Sequence, residues 1–152
     1  MTELHSVLKK LQIKKQESPF LILNAPKEYE EIKQAFVTPI HTEVIESVYP
    51  FIQIFGVSNE EIKTLADKAV EVLEDDGLLW LCYPKKSSKT YKGSNSSRDK
   101  VAELLADKGF EPVRQVAIDE DWSALRFRPV EKIKTMVRKK AVTEAGKKRV
   151  EQ

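Results

Sequence analysis

The sequence predicts an α/β fold, a parallel-centred mixed sheet flanked by helices with an antiparallel hairpin at its C-terminal edge. Three observations predict it. Apolar, strand-like runs alternate with segments of helical period along most of the chain. One of those runs, residues 78–83, is apolar at every position, as expected of a strand covered on both faces. Two further strand-like segments flank Asp119-Glu120-Asp121, a turn composition that joins them as a hairpin.

Taken in order, Leu4, Val7, Leu8 and Leu11 have the spacing of a short amphipathic helix. Residues 19–24, Pro-Phe-Leu-Ile-Leu-Asn, form a compact apolar strand with proline at its entry, where a missing N–H is tolerated. Pro26 suits the first turn of a second helix, and Glu28, Glu30 and Glu31 complement its N-terminal dipole. Ile32, Ala35 and Phe36 would face inward, and Pro39 ends the segment. Residues 42–46 read as a short strand and residues 49–55 as a longer one that stops at Gly56.

Ser58 and Glu61 have the Ser-x-x-Glu form of a capping box, and Ile62, Leu65, Ala66, Ala69, Val70 and Leu73 then hold helical spacing. Gly77 reads as the stop of that helix. The strand 78–83 ends at Pro84, and a thirteen-residue polar loop, 85–97, follows. A helix from about Arg98 buries Val101, Leu104 and Leu105, with Gly109 just past its end. Strands near 111–118 and 122–128 complete the sheet. From Val130 a basic helix with Ile133, Met136 and Val137 as its apolar stripe is expected, fraying near Gly146. The domain organisation is therefore one α/β unit over 1–129 and a basic helix and tail over 130–152.

Composition narrows the function. A chain of 152 residues can bury a self-sufficient core without disulfide or metal staples. A single cysteine and the lack of a signal-peptide pattern point to the cytoplasm, and no apolar run has the length of a membrane span. Residues 130–152 hold eight Lys/Arg against three Glu, a net +5 within a chain whose total is +2. An acidic body with a basic tail bears on partners rather than on fold. Only five glycines are present, and none are clustered. That removes both the three-glycine dinucleotide fingerprint and the phosphate-cradling loop that ends in Gly-Lys-Ser/Thr.

From Gly77 to Arg128 the order of elements resembles the second half of a Rossmann-like class I methyltransferase, most closely at Gly77-Leu-Leu-Trp80, Gly109-Phe-Glu-Pro-Val113 and the closing hairpin. The phrases Pro84-Lys85 and Trp122-Ser-Ala-Leu-Arg126 also resemble a small bacterial family built on a domain of unknown function. The resemblance implies a Rossmann-like fold. Methyltransferases of that class follow the first strand with a glycine-rich loop that lets S-adenosylmethionine approach the backbone. Here the position reads Leu23-Asn-Ala-Pro-Lys27, without glycine, and Pro26 lacks an N–H. The expectation is therefore no cofactor, S-adenosylmethionine included.

In open α/β sheets, ligands bind beyond the carboxyl ends of the strands. Three segments should meet there: Asn24 with Ala25 and Pro26, Gly56 with Ser58, and the loop from Lys85. Lys85, Lys86, Ser87, Ser88 and Lys89 form a cationic, hydroxyl-rich cluster suited to an anionic small molecule, or a solvated connection with no ligand. Arg126 and Arg128 share a strand face with Trp122. They offer either an anion surface or stems packed on Trp122 with ion pairs to Asp119 or Asp121. The basic tail could neutralise nucleic-acid phosphates or dock on the body, and an edge hairpin could mediate homo-oligomers.

Catalytic groupings are thin. His41 and Glu43 share a strand face, yet two ligands do not make a zinc site. Cys82 lies within the apolar strand and reads as a small core residue. The leading expectation is a non-catalytic module that binds a ligand or partner. The alternatives are a divergent methyltransferase-like or nucleotide-binding enzyme, and a nucleic-acid-binding protein that uses the tail.

Overall fold

Alternation along the central strands generates two cores, one on each face of a six-stranded sheet. A computed structural model of the chain describes residues 6–13, 16–91, 94 and 96–132. Its elements are α1 (Ser6–Lys10), β1 (Phe20–Leu23), α2 (Glu30–Lys33), β2 (Ile40–His41), β3 (Tyr49–Phe55), α3 (Asn59–Ala69), β4 (Leu73–Pro84), α4 (Arg98–Glu103), β5 (Phe110–Ala117) and β6 (Trp122–Pro129). The strands lie in the order β2-β1-β3-β4-β6-β5. The first four run parallel, and β6 is antiparallel to both β4 and β5. The expected mixed Rossmann-like sheet with its edge hairpin is thus the fold of the chain.

Successive side chains of a strand point to opposite faces. Leu79, Leu81 and Tyr83 of β4 join Ile52 and Ile54 of β3 beneath α3 and α4, which contribute Ile62, Ala66, Val101 and Ala102. Trp80 and Cys82 join Phe51, Phe55 and Phe20 on the other face, under Val7 and Leu8 of α1 and Tyr29. Trp80 is fully buried, and its indole N–H donates to Leu11 O at 3.1 Å, so the ring leaves no polar atom unmet.

Four sequence expectations are corrected. The segment after Pro26 forms a 3-10 turn at Lys27–Tyr29 and only one α-helical turn; Ile32, Ala35 and Phe36 do pack inward as expected, with Tyr29 buried beside them. The short strand lies at Ile40–His41, not at 42–46. The Tyr49 hydroxyl accepts the N–H groups of Ile45 and Glu46, both at 3.0 Å, which removes those donors from sheet pairing. Residues 42–48 therefore carry the chain between two parallel strands without a helix.

Helix α3 ends at Ala69 in a 3-10 turn, Val70–Val72, and β4 begins directly at Leu73. Gly77 therefore stands inside a strand and stops no helix. Tyr49 pairs with Leu73 and Phe51 with Leu78, so β4 bulges between them, with Asp76 at φ 55°. A Cβ at Gly77 would lie 3.0 Å from Leu73 Cδ1, 3.1 Å from Glu74 O and 3.2 Å from Pro50 O, tighter than ordinary contact, so glycine fits where a side chain would crowd its neighbours. The same bulge aims Asp76 at Arg128, which donates through Nε at 2.9 Å and Nη2 at 2.7 Å. Asp119 and Asp121, the partners expected for the arginines, are used otherwise. Asp119 Oδ1 accepts the N–H of Asp121 and Trp122, and Asp121 Oδ1 accepts the Ser88 hydroxyl.

Gly109 does end its helical segment, at φ 78° after the turn Ala106–Lys108. Leu4 and the basic helix expected beyond Lys132 lie outside the described residues. Among the described residues, no helix is long and apolar enough to cross a membrane, and no three His, Cys, Asp or Glu side chains gather as a metal site.

Candidate functional site

The carboxyl ends of the parallel strands converge, and specific side chains tie them together. Asn24, the first residue after β1, takes a left-handed backbone conformation at φ 59°. Asparagine tolerates that region because its short polar side chain can bond locally. Here Nδ2 donates to Phe55 O at 2.8 Å, joining the end of β1 to the end of β3. Beyond β3, Ser58 caps α3 by accepting the Glu61 N–H at 3.1 Å, while Glu61 Oε1 accepts the Val57 N–H at 2.9 Å. The capping box read from sequence is present, with its return bond on Val57.

Gly56 is buried in this corner, and its N–H donates to Cys82 O at 3.2 Å. A Cβ there would lie 2.5 Å from Ile62 Cγ1 and 3.2 Å from Ile62 N. The missing side chain makes room for the first turn of α3.

The loop after β4 folds over the same edge. Lys85 N–H donates to Asp121 O at 2.8 Å, and the buried Ser88 hydroxyl donates to Asp121 and accepts the Tyr91 N–H. Tyr91 packs edge-on against Trp122, with centroids 4.9 Å apart, and its hydroxyl donates to the Glu28 carboxylate, reaching Oε2 at 3.0 Å. Burial and that carboxylate push the Tyr91 phenol up to about 12. Ser94 Oγ donates to Val57 O at 2.6 Å. The three segments expected to meet on this edge are thus bonded to one another.

Two hollows flank the junction. A groove of about 530 Å³ lies between the end of β1 and α3. Leu23, Asn24 and Thr42 form one side and Glu60, Glu61, Thr64 and Leu65 the other. A second hollow of about 450 Å³ lies across the end of β4. Its floor has the Tyr83 hydroxyl, which accepts Gln115 Nε2 at 3.0 Å, and its walls carry Lys85, Lys86, Ser87 and Arg98. Burial raises the Tyr83 phenol, and the Arg98 charge opposes the rise.

The sequence-derived site residues are therefore divided. Asn24 lines the first groove; Lys85, Lys86 and Ser87 line the second; Gly56 and Ser58 build the corner between them; Ser88 is a buried tether; Lys89 is exposed outside both. Sequence reasoning missed Tyr91, Thr42 and the acidic wall of Glu60 and Glu61. A lone aromatic in a polar loop was the available signal for Tyr91. Cys82 is inert as a nucleophile, since burial pushes its thiol up to about 12.

No family model and no curated protein matches the chain. Solved structures do. An N-methyltransferase, NodS, from Bradyrhizobium japonicum is 14% identical, with 81% of this chain and 92% of that one covered at a TM-score of 0.53. A SAM-dependent methyltransferase from Aquifex aeolicus is 15% identical, with 80% and 86% covered at 0.52. A ribosomal protein L11 methylase from Lactobacillus delbrueckii subsp. bulgaricus is 10% identical, with 81% and 76% covered at 0.51. At such identities the likeness establishes a methyltransferase-like Rossmann fold.

That likeness corrects the expectation of no cofactor. A first half without clustered glycines still builds the fold of a SAM-dependent methyltransferase, so the glycine shortage is no ground for excluding the cofactor. Asn24 itself takes the left-handed conformation after β1, a region that glycine enters at no steric cost, so the turn there needs no glycine.

Proposed function

We propose that the chain is a divergent methyltransferase-like protein that takes S-adenosylmethionine in the groove between β1 and α3. The observation that carries the reading is that groove's position, at the carboxyl end of β1 in a sheet of methyltransferase topology. Its residues suit the group. S-adenosylmethionine carries a sulfonium and an ammonium, and Glu60 and Glu61 give the groove an acidic wall. Thr42, Thr64 and Asn24 offer polar atoms for a sugar, and Leu23 and Leu65 offer apolar surface for a base. The volume lies within the roughly 300–1,000 Å³ usual for small-molecule sites.

When bound, the group supplies an electrophilic methyl. The chain's own contribution is positional: the Asn24 bond to Phe55 O and the Glu61 bond to Val57 N–H hold both walls in place. The neighbouring hollow with Lys85, Lys86, Ser87 and Arg98 is the place for an anionic acceptor, since cations there outnumber the one carboxylate, Asp99.

Thermal unfolding with added S-adenosylmethionine tests the reading. At about 100 times its dissociation constant a ligand stabilises by about 2.7 kcal/mol. For a chain of this size that raises Tm by about 5–10 °C. Thr64 is exposed, so Thr64→Arg should leave the unliganded Tm unchanged while placing bulk and positive charge in the groove. Loss of the shift in that variant supports the site. No shift with S-adenosylmethionine, or one that Thr64→Arg leaves intact, overturns it.

A further inference from the structure

On the α1 face, at the amino ends of β1 and β3 and away from the edge just described, a cavity of about 390 Å³ opens. Its walls are apolar: Ile13, Phe20, Phe51 and Leu78. Among the described residues, one cation is set in these walls, the half-buried Arg126, with Gln12 beside it. Gln12 Oε1 accepts from Arg126 Nη1 at 2.7 Å. Arg126 Nε is sealed from solvent and has no acceptor among the described residues.

A charged donor left buried and unmet is more costly than a neutral one. The surroundings make the deficit larger. Arg128 lies two residues along the same strand and is held by Asp76, and Arg114 is the register partner of Arg126 on β5. Burial together with those two guanidinium groups pulls the Arg126 pKa below the usual arginine value. An acceptor carrying negative charge, placed on the cavity side of the guanidinium, would offset the like charges around the buried Nε and leave the guanidinium paired.

We propose that this cavity binds small amphipathic carboxylates, the carboxylate on Arg126 and the hydrocarbon part against Phe20, Phe51, Ile13 and Leu78. A planar fork of donors matches a carboxylate, and apolar walls exclude a polyhydroxylated or nucleotide-like body. The site is independent of the S-adenosylmethionine groove, which lies at the opposite ends of the strands.

Octanoate and 1-octanol, titrated calorimetrically into the full chain, test it. They share a hydrocarbon tail and differ in the carboxylate. Octanoate should bind at least about tenfold more tightly, a difference of about 1.4 kcal/mol. Arg126→Met, which keeps the stem, should abolish that preference, and Arg126→Lys should restore part of it. Saturating S-adenosylmethionine should leave octanoate binding unchanged. Equal binding of the two probes, binding of neither, or a preference that survives Arg126→Met overturns the proposal. If the methionine variant does not fold, the comparison of probes on the native chain decides alone.

Discussion

Gly56 separates two accounts of the carboxyl edge: a glycine kept for the approach of a ligand, or one kept for the approach of a helix. Its backbone lies outside the left-handed region, so alanine would meet no backbone strain there. The added methyl would lie 2.5 Å from Ile62 Cγ1, 3.2 Å from Glu61 Oε1 and 3.2 Å from Ile62 N. Only the Glu61 oxygen, at the end of a flexible side chain, can give way freely; Ile62 Cγ1 belongs to a fully buried β-branched side chain, and Ile62 N is backbone at the start of α3. Overpacking of this kind costs about 1–3 kcal/mol. A gain of about 0.4–1 kcal/mol from the stiffer unfolded chain opposes it. Gly56→Ala should therefore destabilise by about 1–2 kcal/mol and lower Tm by about 2–8 °C.

Ile62→Ala alone should cost about 2–5 kcal/mol, because Ile62 is fully buried. In the double variant the alanine methyl at 56 occupies space that Ile62 vacates. The two losses should then fall short of additive by about 1 kcal/mol or more. Urea unfolding of the four proteins measures the coupling. Additive losses, or a Gly56→Ala protein with unchanged stability that no longer responds to S-adenosylmethionine, would refute the helix-approach account in favour of the ligand.

Three other outcomes follow from the same coordinates. The Tyr29 hydroxyl donates to Gln53 Oε1 at 2.8 Å inside the core, so Tyr29→Phe should cost about 1–3 kcal/mol in urea unfolding by leaving that oxygen unmet. Cys82 keeps its proton in the folded state up to about 12, against 9 for an ordinary thiol. The unfolded chain therefore ionises first. Stability is whole well below pH 9 and falls as pH rises towards 12, by up to about 1.4 kcal/mol per pH unit. Cys82→Ala should flatten the onset of that decline, at about pH 8.5–9, where the unfolded thiol ionises ahead of the tyrosines, whose raised values at Tyr83 and Tyr91 add to the fall above about pH 9; an equally steep onset would point to another group. Asp76→Asn should remove the ion pair with Arg128 while keeping a residue that tolerates φ 55°, costing about 1 kcal/mol or less, since both side chains are about a third exposed. A larger loss would mean that the bulge itself depends on the charge.

Elements with a strong local signal were legible in the residues alone. Residues 49–55 form β3 over the expected bounds, and the Ser58 cap is where Ser-x-x-Glu placed it. The doubly apolar run 78–83 is the centre of a two-sided sheet, and turn residues 119–121 do join a hairpin. Each of these depends on neighbours within a few positions, which is the range over which periodicity and capping act. What failed depended on particular contacts that periodicity and capping patterns do not encode. Residues 42–46 alternate like a strand, but a hydroxyl from Tyr49 takes two of their donors. Gly77 sits where a helix stop would sit, but it lies in a strand bulge, where Leu73, Glu74 O and Pro50 O of the next strand crowd any side chain.

The site divides in the same way. Composition and order determined a Rossmann-like sheet and which three segments lie at its carboxyl edge, because strand direction follows from chain order once crossovers are set. Only the tertiary structure decided how those segments are used. It gave Asn24 a left-handed turn that needs no glycine, spent Gly56 on the packing of α3 and Ser88 on Asp121, and set Arg126 in an apolar cavity with one donor unmet. Asn24, Ser88 and Arg126 answer to partners thirty or more positions away and Gly56 to a helix turn that folds back on it, and spacing along a chain carries no record of either.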